Sequence, residues 1–197
     1  DGIFQNEQEV INWNKEHGYY SKDGIWQGMQ PSAKPGDIRF IDQNGDGQLD
    51  SSDKVNIGSG TPKIAAAFNV NLTYNNFDLT ANFYGHFGVK RYNYTKFQLQ
   101  RMDHVFNYGK DALNAWTPEN TNTDIPRAVQ GDPNKNTRVS DRFVENGDYL
   151  RLNNVQIGYN LPAKTCKNLN ISNLRFYIGA SRLFTLTNYK GYDPSTC

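Results

Sequence analysis

The chain has 197 residues, 21 Lys plus Arg against 20 Asp plus Glu, a formal net charge of +1, and 37% apolar and 13% aromatic side chains. This near-neutral balance, with the basic residues scattered, leaves no electrostatic footprint for nucleic acid, and no run of about eighteen apolar residues exists to cross a bilayer as a helix. A mean hydropathy of -0.77 fits a soluble domain and equally a transmembrane β-barrel, in which half of each strand faces a wet interior and long loops face water.

The opening Asp1-Gly2-Ile3-Phe4 has neither a basic nor an apolar leader, which points to a start inside a longer polypeptide. From Asn6 the pattern is helical. Asn6 can cap, Glu9 stands three residues on, Val10, Ile11 and Trp13 supply apolar contacts, and Gly18 can close the end. Residues 19–35, rich in Gly, Ser and Pro and containing Trp26 and Met29, are expected as an ordered loop packed on the scaffold.

The sharpest local motif follows, Asp42-Gln43-Asn44-Gly45-Asp46-Gly47-Gln48-Leu49-Asp50-Ser51-Ser52-Asp53. Oxygen-bearing side chains at alternating positions around a central Gly match a calcium loop, in which a sharp turn lets carboxylates converge on a hard cation. Asp42, Asn44, Asp46, Asp50 and Asp53 are the candidate side-chain ligands, with Gln48 offering its backbone carbonyl. The last position is Asp53 where a bidentate Glu is usual, which is nearer to dockerin-type loops. The extended character of residues 35–40 argues for a structural brace of Ca2+ on a β scaffold, not a sensor. The alternative is a pair of Asn-Gly and Asp-Gly turns that binds no metal.

Residues 63–89 read as one long hairpin. Ile64, Ala66, Phe68, Val70, Leu72 and Tyr74 share one face of the first arm, with Ala65, Ala67, Asn69, Asn71 and Thr73 on the other. After Asn75-Asn76, a pair suited to a tight turn, Phe77, Leu79, Ala81, Phe83, Phe87 and Val89 continue the apolar face. Both arms reach the roughly nine to eleven residues that a tilted strand needs to cross a bilayer. Tyr74, Phe77 and Phe87 lie near the ends, where an outer-membrane barrel carries aromatic girdles. The same alternation also fits long strands of a soluble sandwich.

Residues 90–148 form an interval too long for an ordinary connection in a small soluble domain, but natural for an extracellular loop of a barrel. It carries Tyr92, Tyr94, Phe97, Phe106, Tyr108 and Trp116, with a helix-like stretch over 110–116 stopped by Pro118. Tyr92, Tyr94 and Trp116 are candidates for stacking on an oligosaccharide or peptide. A small aromatic core inside the loop is the alternative.

Residues 149–187 read as a second hairpin. Val155, Ile157, Tyr159 and Leu161 alternate with Asn154, Gln156, Gly158 and Asn160, while Leu150 and Leu152 stand in the opposite phase. That implies a bulge near Asn153, or an outer end clear of lipid. Pro162 ends the strand, residues 163–173 make a turn containing Cys166, and Leu174, Phe176, Ile178, Ala180, Phe184 and Leu186 mark the last arm, interrupted by Arg182. A lipid-facing Arg costs roughly 2 to 4 kcal/mol at mid-bilayer and about 0 to 1 near the interface, so its late position favours the interface. Residues 188–197 would begin the next loop. The expected fold class is thus all-β, an antiparallel transmembrane barrel segment with long extracellular loops, the first of them 1–62. Four strands cannot close a barrel, and open edges in lipid are costly, so the strands must belong to something larger.

Several separated motifs resemble the SusC/RagA-type TonB-dependent transporters of Gram-negative outer membranes. They are residues 36–47 (Gly36-Asp37-Ile38-Arg39-Phe40-Ile41 into the acidic loop), Trp116-Thr117-Pro118-Glu119-Asn120, Asp124-Ile125-Pro126-Arg127, and residues 142–152. The likeness continues through 154–162, Leu183-Phe184-Thr185 and Tyr189-Lys190-Gly191-Tyr192-Asp193-Pro194. What the resemblance implies is a 22-stranded barrel with an N-terminal plug, driven by TonB through that plug. It would be capped by a SusD-like surface lipoprotein and import oligosaccharides or peptides across the outer membrane, with outer-membrane lipid around it. The acidic and aromatic loops would then lie outside, Asn75-Asn76 and Cys166 on the periplasmic side, and Cys166 and Cys197 on opposite faces and unpaired.

Other classes are weaker. A calcium-stabilised soluble β-domain that binds carbohydrate, as an adhesin would, is the alternative function. An enzyme is not expected: Asp103, Glu119, Asp124 and Glu145 show no paired spacing, and His17, His86 and His104 form no metal-protease motif. No catalytic or cofactor-binding residue is assigned.

Overall fold

The alternation over 64–87 becomes a long antiparallel hairpin, and a second hairpin lies beside it. The computed structural model describes residues 2–195. These fall into two units, one of residues up to 57 with 93–143, the other of 58–92 with 144 onward.

In the first unit α1 (Glu7–Glu16) is capped by Asn6, whose side chain accepts the Glu9 N–H at 2.9 Å. The helix ends on His17 in an extended conformation. Gly18 does not close it. That glycine opens β1 (Gly18–Tyr20), where a Cβ would run into the Gln27 carbonyl of the antiparallel neighbour β2 (Trp26–Gly28). The stretch expected as a loop therefore holds a small hairpin.

The main sheet is built from β3 (Ile64–Tyr74), β4 (Phe77–Phe87), and two strands that return after the long interval. Asn75 takes a positive φ of 52° in the tight turn, as the Asn-Asn pair allows. A short β5 (Lys90–Tyr92) follows, then α2 (Tyr94–Gln100), capped by Asn93, and a 3-10 turn at Lys110–Asn114. β5 pairs with β6 (Val144–Asn146). β7 (Tyr149–Asn160) and β8 (Arg175–Thr187) are joined by α3 (Ala163–Asn168), which buries Cys166. Cys197 lies outside the described residues. The strand order is β3-β4-β7-β8, every pair antiparallel.

The change of phase in β7 is a bulge. Phe83 pairs with Leu152 and Asn82 with Asn154, which leaves Asn153 as the extra residue. Against β8, Leu152 pairs with Phe184 and Asn154 with Ser181, so Arg182 and Leu183 together face Asn153, with Arg182 at a φ of 53°. Leu150 and Leu152 thereby join the same face as Val155 and Ile157.

The first unit has small apolar clusters, Phe4 with Val10, Ala33 and Trp13, and Met102 with Ala115 and Ile125. Between the motifs at 36–40 and 124–127 sits a polar centre. Asp37 is fully buried; it accepts Arg127 Nε at 2.8 Å and Nη2 at 3.1 Å, Asn136 Nδ2 at 2.8 Å and the Lys34 N–H at 2.9 Å. Arg127 also donates its N–H to the Gly36 carbonyl at 2.8 Å. Gln30, Asn134 and Asn136 extend the network to the backbone of Ile38 and Phe40.

Removing one partner of a buried ion pair typically costs about 3 to 5 kcal/mol. Asp37→Ala in the full-length protein is therefore expected to destabilise this unit toward the lower part of that range, because the Arg127 side chain keeps 21% exposure. Hydrogen exchange of residues 30–40 and 124–137 measures it, and exchange unchanged from the parent would show that the carboxylate anchors nothing.

Candidate functional site

Pairing registers place the apolar residues of all four strands in rows on one face. From one end to the other these are Ile64 with Phe87; Ala66, Gly85, Leu150 and Leu186; Phe68, Phe83, Leu152 and Phe184; and Val70, Ala81, Val155 and Ala180. Leu72, Leu79, Ile157 and Ile178 follow, and Tyr74, Phe77, Tyr159 and Phe176 close the series. Rows two residues apart are about 6.8 Å apart along a strand. Six rows tilted at about 40° stand roughly 26 Å tall, close to the apolar band of an outer-membrane barrel. The last row is aromatic throughout, with Phe77 and Tyr159 centroids 4.7 Å apart. Phe68 (48%), Ile157 (50%), Phe176 (58%) and Ile178 (74%) keep about half or more of their surface exposed, so the described residues do not cover this face.

The opposite face is polar, with Asn69, Asn82, Asn154 and Ser181 in one row and Asn71, Thr80, Gln156 and Gly179 in the next. Its charges are paired. Arg175 lies across Gly158, where a Cβ would collide with it, and reaches Asp78 at 2.5 Å. Arg151 donates to Thr185 Oγ1 at 2.8 Å, Ser195 Oγ at 3.1 Å and Asp193 Oδ1 at 2.6 Å. Beside it His86 is held between the hydroxyls of Tyr84 and Tyr149.

The acidic loop folds on itself. Asp42 accepts the Gly45 N–H at 2.7 Å and the Gly47 N–H at 2.6 Å, both glycines having positive φ. Desolvation raises the Asp42 carboxyl, but the backbone N–H groups of Gly47, Gly45 and Asp46 outweigh it and hold the group below its ordinary value. Asn44 and Asp46 accept from the backbone of Asp46 and Gln48. Asp50 caps the 3-10 turn Ser51–Asp53, and Asp53 answers with bonds from the Asp50 and Gln43 N–H groups. The geometry thus brings Asp42 and Asp53 together, while among the described residues no three His, Cys, Asp or Glu side chains are grouped as a metal set.

Of the aromatic candidates, Trp116 is withdrawn. Its indole is buried against Gly36, whose φ of 88° and missing Cβ make room for it, and its Nε1 donates to Gln5 Oε1 at 3.0 Å. It is a core residue of the loop unit. Tyr94 is 61% exposed at the start of α2 and packs against Phe97 at 5.7 Å. Tyr92 is half-buried in β5. Sequence reasoning missed Arg151 and its partner Asp193. The available signal was an Arg in phase with Tyr149, on the side of the strand that carries Gln156 and Gly158.

No protein-family model matches the chain. The chain is 35% identical over 187 residues to TonB-dependent receptor P3 and 31% identical over 172 residues to TonB-dependent receptor P26, both of Formosa agariphila, covering 90% and 85% of this chain. It is 28% identical over 165 residues to TonB-dependent receptor SusC of Bacteroides thetaiotaomicron, over 83% of this chain. It spans only 18%, 17% and 16% of those relatives' lengths. Among solved structures, the RagAB peptide importer in its closed-closed state matches with a TM-score of 0.69 at 25% identity, over all of this chain and 20% of that one. The open-open state matches with a TM-score of 0.67 at the same identity, over all of this chain and 19% of that one. These relatives are receptors and importers, not enzymes. The chain belongs to the SusC/RagA-type TonB-dependent receptors of the bacterial outer membrane, as a segment of their barrel.

Proposed function

We propose that this segment forms part of the wall and outer loops of an importer that takes up oligosaccharides or peptides. It would work with a SusD-like surface lipoprotein, and TonB would supply the energy through a plug domain. The observation that carries the reading is the six-row apolar face backed by a polar one, which suits lipid on one side and a wet lumen on the other. An adhesin-like soluble domain would leave that face against water, which apolar area of this extent disfavours.

The test is depth-dependent. Val155→Arg, in a middle row, is expected to destabilise the full-length protein in lipid vesicles by about 2 to 4 kcal/mol, and Phe176→Arg, at the rim, by about 0 to 1. Gln156→Arg on the polar face should cost little. Equal effects of Val155→Arg and Gln156→Arg on urea unfolding would sink the membrane reading.

For the cargo, mass spectrometry of the protein purified from native membranes is expected to find a surface lipoprotein together with a retained oligosaccharide or peptide. Purification as a lone chain with neither would overturn the importer assignment.

We further propose that Ca2+ braces the 42–53 loop. The support is the donor set itself, Asp42, Asn44, Asp46, Asp50, Asp53 and the Gln48 carbonyl, with Gly45 and Gly47 in the conformations a tight cation loop needs. In this structure the side chains of Asp42, Asn44 and Asp46 bond the loop's own N–H groups, which holds the loop closed around the donor set. Calcium at about 100 times its Kd adds about 2.7 kcal/mol to the state that binds it. The expected outcome is slower hydrogen exchange over 42–53 with calcium, abolished by Asp42→Ala. Exchange unaffected by chelation would refute it.

A further inference from the structure

The segment after β8 doubles back over the polar face of the sheet and is tied there. Thr187 Oγ1 donates to the Asp148 carbonyl at 2.7 Å and accepts the Tyr189 N–H at 3.1 Å, and the Lys190 N–H reaches Glu145 Oε2 at 3.1 Å. The Tyr189 ring lies on Gly191, in space a Cβ would fill. The last tie is the strongest, because Arg151, with only 10% of its side chain exposed, holds Asp193 and Ser195 while Thr185 fixes the guanidinium from the sheet. Asp193 in turn accepts the N–H and hydroxyl of Ser195, at 2.9 and 2.8 Å. Between these anchors Tyr192 projects with 94% of its surface exposed.

Arg151 shares its row with Ala67, Tyr84 and Thr185 on the face that carries the amides and hydroxyls. A strap pinned to that guanidinium is therefore on the polar side of the strands, not the apolar side. An exposed phenol with its neighbours fixed on both flanks offers a large contact surface at low ordering cost.

We propose that residues 188–195 are a latched strap, closed by Arg151 and Asp193, that narrows the lumen at the His86 and Tyr149 end of this wall and presents Tyr192 as a contact for passing cargo. The latch stands on the geometry of the sheet alone; the word lumen rests on the barrel reading.

The experiment uses the full-length transporter in lipid vesicles. Arg151→Gln and Asp193→Asn are each expected to speed amide exchange over 188–195 by about tenfold or more, as losing a charged hydrogen bond should, with β8 exchange unchanged. The charge swap R151D/D193R should restore slow exchange. If Arg151→Gln disturbs β7, Asp193→Asn decides, since it leaves every strand residue in place. Exchange over 188–195 unchanged in Asp193→Asn overturns the latch.

The position of the strap is read separately. With Tyr192→Cys in a background whose other cysteines are replaced, a small maleimide should label the parent readily, and a polymer-linked maleimide at least about tenfold more slowly, the gap closing in Asp193→Asn. Equal labelling of the parent by both reagents overturns the constriction even where the latch holds. The unfolding comparison of Val155→Arg with Gln156→Arg tells that failure from a failure of the barrel reading.

Discussion

A strand displaced by one residue turns its entire apolar set to the other side of the sheet. The four strands obey this constraint although β7 changes phase along its length. β3 and β4 alternate without interruption, so β7 can keep Leu150 and Leu152 in line with Val155 and Ile157 only by leaving one residue out of the pairing. Asn153 is that residue. The next strand takes up further slack with Arg182 and Leu183 opposite it, which puts Arg182 between the third and fourth of the six rows and not near the interface where its late position in the strand pointed. A positive φ at Arg182 would be an unexplained strain in isolation; here it is the local cost of holding Ala180 and Phe184 in their rows. In lipid the backbone must pair strand to strand with no help from water, so confining the irregularity to one step matters more than it would in a soluble sheet.

The loop unit is held differently. Its apolar clusters are small, too small for hydrophobic burial to fix so long an excursion of chain. Asp37 offsets this by gathering one guanidinium, one amide and one backbone N–H from positions as far as 99 residues away. A buried carboxylate is unfavourable unless every lone pair finds a donor. The requirement works in reverse as well: with four donors present, any rearrangement that strips one away leaves a charge uncompensated, and the unit has one arrangement that satisfies all of them.

How much of this could be read beforehand follows from the range of each interaction. The strands within 63–89 and 149–187, the turn at Asn75 and the bulge at Asn153 were legible, because period-two alternation and turn chemistry are local, but Val89, expected on the apolar face, lies beyond β4 and is buried. The Asn6 cap was legible for the same reason, whereas Gly18 was misread. A glycine that ends a helix and one that admits a neighbouring strand look alike until Gln27 is known to lie beside it. Trp116 was misjudged as a ligand contact since nothing near it in sequence announces Gly36, 80 positions earlier, as the floor it rests on. The acidic loop shows the complementary limit. Its donor types were evident, but whether they turn to a cation or to their own backbone depends on torsions that spacing does not specify.

The two sides of the main sheet differ in chemistry, and on the barrel reading the charges follow the solvent each would meet. On the polar side Arg175 crosses Gly158 to Asp78, and Arg151 is closed by Asp193. Both of these cations are thus satisfied within the sheet or the segment that follows it. What remains to face the interior is largely uncharged: Asn69, Asn71, Thr80, Asn82, Asn154, Gln156 and Ser181. An unpaired charge at those positions would trap counter-ions and grip oppositely charged solutes, since a low-dielectric wall focuses the field of any fixed charge. Amides and hydroxyls instead exchange hydrogen bonds with water and with solute on nearly equal terms, each net bond being worth only about 0.5 to 1.5 kcal/mol. A surface of that kind can be wetted, occupied and vacated without a deep energy minimum, which suits the passage proposed above better than a storage site.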